Sequence, residues 1–547
     1  MQVVIDFETN YPINDTITSM WLQWSATDRC LIEGADIQIA LKALADNTTI
    51  TDYIFHNAGY DLGFTTPYFR DKVYGRVRDT MIMSRARGEI VSNLKHLGAY
   101  YTARPGNYAW HIPGTKHSFD DPAYGCEDVD VTWQLFKRWE KELDKPVVEL
   151  MNRAVVMFSC QTAVGTTINL QALDTLAIDG KKLEQDLKAG LIEKYGCDPG
   201  QTDTLASRLR TMGYPLNRQT KTGKDALTKE ALNELGLDDI VEWRQAQKLD
   251  SSFVGKIKSL IRSDGRLPHH QKVMEAKTGR TSMSDFNWQQ AGRKGPTKGL
   301  LISQFPGGII GSVDLAQAEL RVACLLSGDL DMMEWLLMTD AHRFNAAMAF
   351  GVKFEDVTDE QRTDAKTVVF RLIYGGSAIT DGQKIVEKYL RSRFKKFFQW
   401  FERTRKEAMS ECEITDYFGK TCGLAQILDW RGKWAVGRAG VNSPIQGLAS
   451  HIAIHITVKI WELFREYGLQ SLVLFGVHDS IVMDIHPEEK DIVVSIVKQA
   501  FRSVMDTLIG QLALAKRLPI SGELQFGSSW ADTKNGDKIL CSSLEVV

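Results

Sequence analysis

Paired cysteines are missing from this chain of 547 residues: its eight (30, 126, 160, 197, 324, 412, 422 and 541) are scattered, with no C-x-x-C anywhere. Scattered thiols point to a reducing compartment and away from a zinc site or a disulfide frame. No run approaches eighteen apolar residues, so no membrane span is predicted. The N-terminus enters a strand-like Val3-Val4-Ile5 almost at once, which predicts neither signal nor transit peptide. Internal repeats and low-complexity segments are lacking. So is an excess of basic charge: 66 Lys and Arg face 69 Asp and Glu, a net −3, which excludes a uniformly basic nucleic-acid coat. The charge is nevertheless uneven. Residues 256–298 hold ten Lys/Arg against three Asp/Glu, and 384–406 hold nine against two, so each window is +7. Such islands can track a phosphate backbone, although a solvated helix face is their commoner source.

What is present suits an ordinary globular protein, with 44% apolar and 25% charged residues. The length exceeds one hydrophobic core and predicts two to four domains. Residues 1–140 alternate strand-like and helical patterns, with helices expected over 37–45 and 128–143. From 146 to about 265 the pattern is mainly helical (147–158, 182–195, 229–244), punctuated by Asp198-Pro199-Gly200 and Tyr214-Pro215. The rest mixes strands (308–313, 471–475, 481–485) with helices (316–326, 341–350, 359–374, 382–409, 444–467, 487–508). Residues 533–547 read as a loose tail.

Three short stretches carry the chemistry: Val313-Asp314-Leu315-Ala316-Gln317-Ala318-Glu319-Leu320-Arg321, the run from Arg362 to Gly376, and Val477-His478-Asp479-Ser480. A helix N-cap would account for Asp314 alone. It does not account for Asp479, which sits between two apolar strands where a tight turn would carry His478 and Asp479 at a hairpin tip. Two carboxylates brought together repel unless divalent cations bind between them. In the middle stretch Arg362, Lys366, Phe370 and Tyr374 recur every four residues along one helix face, while Val368, Val369, Leu372 and Ile373 fill the other. Paired carboxylates plus cations aimed at a triphosphate are what two-metal phosphoryl transfer requires.

In this order the stretches resemble motifs A, B and C of the A family of DNA polymerases, the DNA polymerase I type. The resemblance implies that Asp314 and Asp479 hold two Mg²⁺ ions, with Mn²⁺ a possible substitute. It further implies that Arg362 and Lys366 grip the nucleotide phosphates, with Lys366 a proton donor to pyrophosphate. Phe370 would stack near base and sugar, Tyr374 would lie at the template position, and Gln317 would join the nucleotide site. Glu319 would close off the space of a ribose 2′-hydroxyl. Thr278-Gly279-Arg280-Thr281-Ser282 with Asn287-Trp288-Gln289 is similar to the family's thumb–palm link, which places Arg280 and Gln289 on the primer-template minor groove, where every correct pair presents similar acceptors. Asp340-Ala341-His342-Arg343 would make His342 a phosphate contact. Asn442-Ser443-Pro444-Ile445-Gln446-Gly447 would put Asn442 and Gln446 near DNA, as would Arg321 and His478. Three positions depart from the family's pattern. Ser480 stands where a glutamate is usual, a change expected to loosen metal or primer positioning and one shared with single-subunit RNA polymerases. Val369 and Arg371 replace Asn and Gly, and Arg371 adds a charge near the nucleotide.

The N-terminal third carries Asp6-Phe7-Glu8, Asn57-Ala58-Gly59-Tyr60-Asp61 and Tyr124-Gly125-Cys126-Glu127-Asp128. An Asp-x-Glu pair in a strand faces one side, because side chains alternate. For Asp61 and Asp128 an N-cap is the plainer reading. The full order resembles the 3′–5′ exonuclease of the same polymerases. That implies a ribonuclease-H-like fold in which Asp6, Glu8, Asp61 and Asp128 hold two metal ions and Tyr124 orients the attacking water. The implied architecture is an exonuclease domain over 1–145, a thumb over 146–290, a palm over 291–335 and 416–547, and fingers over 336–415, with no 5′-nuclease domain ahead of it. The expected partners are primer-template DNA and dNTPs, with helicase, primase and single-strand binding protein around a monomeric bacteriophage enzyme in the host cytoplasm. The thumb interval looks too short for a large processivity insert. A single-subunit RNA polymerase and a non-catalytic DNA-binding subunit are the alternatives.

Overall fold

Val3, Val4 and Ile5 are all buried and set the centre of an N-terminal sheet. A computed structural model describes residues 1–9, 16–102, 122–220, 223–292 and 296–544. Arg293 and Lys294 of the first basic window, and the last three residues of the expected tail, lie outside them. Strand β1 (Gln2–Thr9) pairs antiparallel with β2 (Ile17–Gln23), which pairs antiparallel with β3 (Arg29–Glu33). On its other side β1 runs parallel to β4 (Asp52–Phe55), itself parallel to β5 (Val77–Asp79), giving the order β3-β2-β1-β4-β5. Parallel strands need covered faces. Helices α1 (Ala58–Gly63), α2 (Leu94–Tyr101), α3 (Pro122–Trp139) and α4 (Pro146–Val164) flank this sheet. The expected helix over 128–143 therefore starts six residues earlier and gives way to a 3-10 turn at Glu140–Asp144.

The helical middle has its own apolar cluster, built on α5 (Leu170–Tyr195) and including Leu191, Tyr195, Leu209, Ile240 and Trp243. The helix read over 229–244 is two, Lys229–Glu234 and Asp238–Lys248, because the chain turns at Gly236 with φ 69°. Only a residue tolerant of that left-handed conformation fits between them.

The second sheet positions the chemistry. Its strands are β6 (Ile309–Leu315), β7 (Leu472–Val477), β8 (Ser480–Ile485), β9 (Ser521–Gly527) and β10 (Ile539–Ser542), all antiparallel in the order β7-β8-β6-β9-β10. The tail read as loose thus contributes an edge strand, whose Cys541 is fully buried. Around the sheet stand α6 (Ala318–Ser327), α7 (Ala341–Phe350), α8 (Asp359–Ile373), α9 (Asp381–Arg393), α10 (Lys395–Glu411), α11 (Ala425–Glu466) and α12 (Lys490–Val504). The single helix expected over 382–409 breaks at Phe394, whose ψ of 58° is not helical. Helix α11 starts well before the expected 444 and bends at Gly432 (φ 73°). The second basic window lies on α9 and α10 and is partly neutralised locally, by Asp381 on Lys384, Glu387 on Arg391 and Glu402 on Arg405. It is largely a solvated helix face.

A polar trio ties the two sheets together. Glu462 on α11 accepts from the Tyr74 hydroxyl and the Arg153 guanidinium, and Arg465 pairs with Asp71 at 2.5 Å. Among the described residues no helix is long and apolar enough to cross a membrane, and all eight cysteines are free.

Candidate functional site

Strand alternation decides where Asp314 points. Val313 and Leu315 are buried, so Asp314 between them faces solvent. It lies inside β6, not at a helix start; the N-cap of α6 is Gln317, exposed and at φ 50°. Asp314 is directly opposite Ser480 across the β6–β8 ladder, and the Leu315 amide donates to the Asp479 carbonyl at 2.9 Å. The β7–β8 hairpin closes through His478 and Asp479 alone. His478, the first turn residue, has φ 53°, a conformation such turns usually assign to glycine. Asp314 on β6 thus lies beside Asp479 in the turn that leads into β8. Ser480, expected to loosen the site, instead donates its hydroxyl to Asp314 and orients that carboxylate.

Glu319 is the second residue of α6 and 8% exposed, far from the solvent-facing glutamate that a helix surface would give. It accepts from the Tyr374 hydroxyl at the end of α8 and pairs with Arg280. Burial, Glu319 and Asp479 together raise the Tyr374 phenol, so it stays protonated and donating. On α8 the expected division holds: Val368, Val369, Leu372 and Ile373 are buried, Lys366 and Tyr374 are exposed, and Phe370 is half-buried. Arg362 pairs with Asp340 at 3.0 Å, the residue that also caps α7. His342 meets Trp335 edge-on and Phe370 at a tilt; burial first, then Lys366 and Arg362, push its imidazole down to about 4, so it is neutral at pH 7. Gln289 is held on Thr281 at 3.2 Å, and Asn442 and Gln446 are half-buried along α11.

Arg321 requires a correction. Its Nε donates to the Ala316 carbonyl at 3.1 Å and its Nη1 to that of Pro519 at 2.7 Å. Half-buried, it braces the chain after Asp314 through these two backbone acceptors, a structural role that the expected DNA contact did not include. Sequence reading also missed Arg438, which lines a cavity with Lys366, Phe370 and Tyr374. A lone arginine four residues before Asn442 offered no motif, although that i, i+4 spacing would have put it on the same helix face.

The N-terminal acidic centre is built differently. Asp6 and Glu8 share one face of β1, and Asp61 on α1 accepts from the Phe7 amide at 3.2 Å. Asp61 sits inside its helix; the start of α1 is instead caught by Asp79, which accepts from the Asn57 and Ala58 amides at 3.1 and 2.8 Å. Asp128 likewise lies mid-helix, one turn after Tyr124. Neither is an N-cap. Burial and then Asp128, Asp61 and Glu8 push the Asp6 carboxyl well above the usual carboxylate range. Burial also raises Asp61, against the pull of the Phe7 amide, and raises the Tyr124 phenol. Lys95, absent from the expected set, pairs with Asp128 and lies 3.8 Å from the Tyr124 ring centre. Among the described residues no group of three or more His, Cys, Asp or Glu stands ready as a metal cage. The exposed Asp314 and half-buried Asp479 nevertheless suit Mg²⁺, which commonly takes one or two carboxylates and completes its shell with water and substrate phosphates.

Comparison with known proteins gives a consistent result. The family model of DNA polymerase family A matches residues 199–532. DNA polymerase I of Pseudomonas aeruginosa is 27% identical over 447 residues, covering 74% of this chain and 47% of that protein. The DNA polymerase of Bacillus phage SP01 is 29% identical over 370 residues, covering 61% and 40%. DNA polymerase I of Chloroflexus aurantiacus is 29% identical over 533 residues, covering 87% and 54%. The chain therefore spans about half the length of these relatives. In fold it is similar to the POL domain of Pol1 from M. smegmatis, solved with DNA primer-template and dNTP, at a TM-score of 0.78 and 18% identity over 97% of this chain and 96% of that one. With the family's pattern matched across more than half of its length, the chain belongs to DNA polymerase family A.

Proposed function

We propose that this chain is a template-directed DNA polymerase that extends a primer 3′ end with dNTPs by two-metal phosphoryl transfer. The observation that carries the reading is the β6–β8 ladder, which sets Asp314 beside Asp479 on an open face across from α8. Divalent cations held by these two carboxylates would acidify the primer hydroxyl and neutralise the leaving pyrophosphate. The chain's own residues do the rest. Arg362 and Lys366 on α8 grip the triphosphate, and Lys366 donates a proton to the departing group. Neutral His342 offers a hydrogen bond to a phosphate without adding charge. Phe370 stacks on the nucleotide, while Glu319, fixed by Arg280 and Tyr374, blocks a 2′-hydroxyl. In this reading α8 belongs to the fingers, the second sheet is the palm and α5 belongs to the thumb. Mg²⁺-dependent extension of a primer-template with dNTPs tests it; no incorporation by the folded protein would overturn it.

The N-terminal centre we read as a 3′–5′ proofreading exonuclease on a ribonuclease-H-like domain. The convergence of Asp61, Asp128 and Glu8 on Asp6 supports this, because such crowding is relieved by bound divalent cations. Degradation of a mismatched primer end in the absence of dNTPs is the test. A replicative role in a bacteriophage, beside helicase, primase and single-strand binding protein, suits the likeness to the Bacillus phage SP01 protein. The RNA polymerase alternative is not favoured, since the chain matches DNA polymerase family A and the buried Glu319 would close off a 2′-hydroxyl in this reading. Ribonucleotide incorporation equal to that of dNTPs would restore it.

A further inference from the structure

The turn after α8 brings two arginines to one cleft. Tyr374, Gly375 and Gly376 close α8, with the Gly376 amide donating to the Arg371 carbonyl at 2.8 Å. Gly375 has φ 71°, and a Cβ there would stand 2.8 Å from Arg438 Cγ and 3.2 Å from Arg438 Cα. Its lack of a side chain is what lets α11 press Arg438 against this turn. The result is a cavity of about 450 Å³ lined by Lys366, Thr367, Phe370, Arg371, Tyr374 and Arg438. Three cations and two aromatic rings face it, with no carboxylate in the lining, in a chain whose net charge is −3.

Lys366 is accounted for by the triphosphate. Arg371 lies five residues further, roughly 7 Å along the helix axis and on a different face. Its guanidinium is braced from behind: Nη1 donates to Gln383 Oε1 at 2.6 Å, and Gln383 is fixed in turn by Asp364 at 3.0 Å and by the Ile379 amide at 3.1 Å. That brace uses one of the five N–H donors of an arginine. Planar guanidinium forks match phosphate, and exposed rings such as Tyr374 accept stacked bases of any sequence. A pocket with both features suits single-stranded nucleic acid.

We propose that Arg371, held by Gln383 and faced by Arg438, binds a phosphate of the single-stranded template just beyond the templating base. This rests on the polymerase reading of the neighbouring site. The residue then sets how firmly the unpaired template is held as it enters, instead of contacting the incoming nucleotide.

Equilibrium binding of primer-templates with 5′ template overhangs of one and of four nucleotides, over a series of salt concentrations, tests it. With the four-nucleotide overhang Arg371→Ala is expected to weaken binding about 10-fold and to reduce the slope of log affinity against log salt by about 0.7. With the one-nucleotide overhang wild type and variant should coincide. Equal loss on both substrates, or no loss on either, overturns the proposal. Arg371→Gln, closer in volume, is held to the same outcomes should the alanine variant fail to fold. The two readings fail differently. A wild-type chain that extends no primer sinks the polymerase assignment, whereas one that extends normally with an overhang-blind Arg371 variant sinks this inference alone.

Discussion

The two acidic centres use opposite means to gather negative charge. At the hairpin centre two aspartates are brought together by strand pairing, Asp314 exposed and Asp479 half-buried, and one hydroxyl, that of Ser480, orients Asp314. At the N-terminal centre four carboxylates come from a strand and two helices, are largely buried, and repel strongly enough to lift Asp6. A lysine, Lys95, sits within that second group. Backbone register alone suffices to gather the first. The second depends on side-chain packing.

The sharpest way to break the comparison is to remove one carboxylate from each. Asp479→Ala should reduce primer extension roughly a thousandfold or more, since metal stabilisation of the transition state is worth several kcal/mol, while primer degradation persists. Asp6→Ala should do the reverse. Loss of both activities in either folded variant would mean the centres are not separate. Next in size, Glu319→Ala opens the space beside the sugar and should cut discrimination against ribonucleotides by roughly 100-fold, measured as the ratio of kcat/KM for paired nucleotides. Unchanged discrimination would remove Glu319 from its proposed role.

Acid should separate the supports of the two centres. His56, bonded to Thr80 and the Ser92 carbonyl beside the N-terminal centre, is pushed down to about 3 by burial. His269, bonded to the Leu474 carbonyl beneath the hairpin, is pushed down to about 4, again by burial. A histidine with a depressed folded value binds its proton more readily when unfolded. The associated stability is complete above about pH 6.5 and falls as pH drops toward those folded values, by roughly 3 kcal/mol for His269. Urea unfolding at pH 7 and pH 4.5 should show this, and His269→Gln should flatten the dependence. The smallest effect belongs to the tie between the sheets. Arg153→Met should cost about 1–2 kcal/mol, because the pair with Glu462 is partly exposed. The melting temperature should fall by a few degrees, with both activities lost together on heating.

Much of the hairpin centre was legible because its signals are local. An apolar run with one carboxylate reads directly as a strand with an exposed acid, and fourfold spacing reads as one face of α8. The failures concern longer range. Phe394 breaks a helix although apolar periodicity continues through it, and Ile539–Ser542 looked like a tail because four residues mean little until β9 lies beside them. Arg321 shares its stretch with Asp314 and Glu319, so only its carbonyl partners reveal a bracing role. Lys95 and Arg438 belong to no motif and come into view only where helices converge.

The Tyr74–Arg153–Glu462 trio bears on how such a chain could be rebuilt. Its members come from as far as 388 residues apart along the sequence, and each adds a modest share to the junction. Anyone grafting the N-terminal sheet onto a different relative would have to transplant Glu462 with it. Otherwise Arg153 would meet a foreign helix and be left half-buried without its carboxylate.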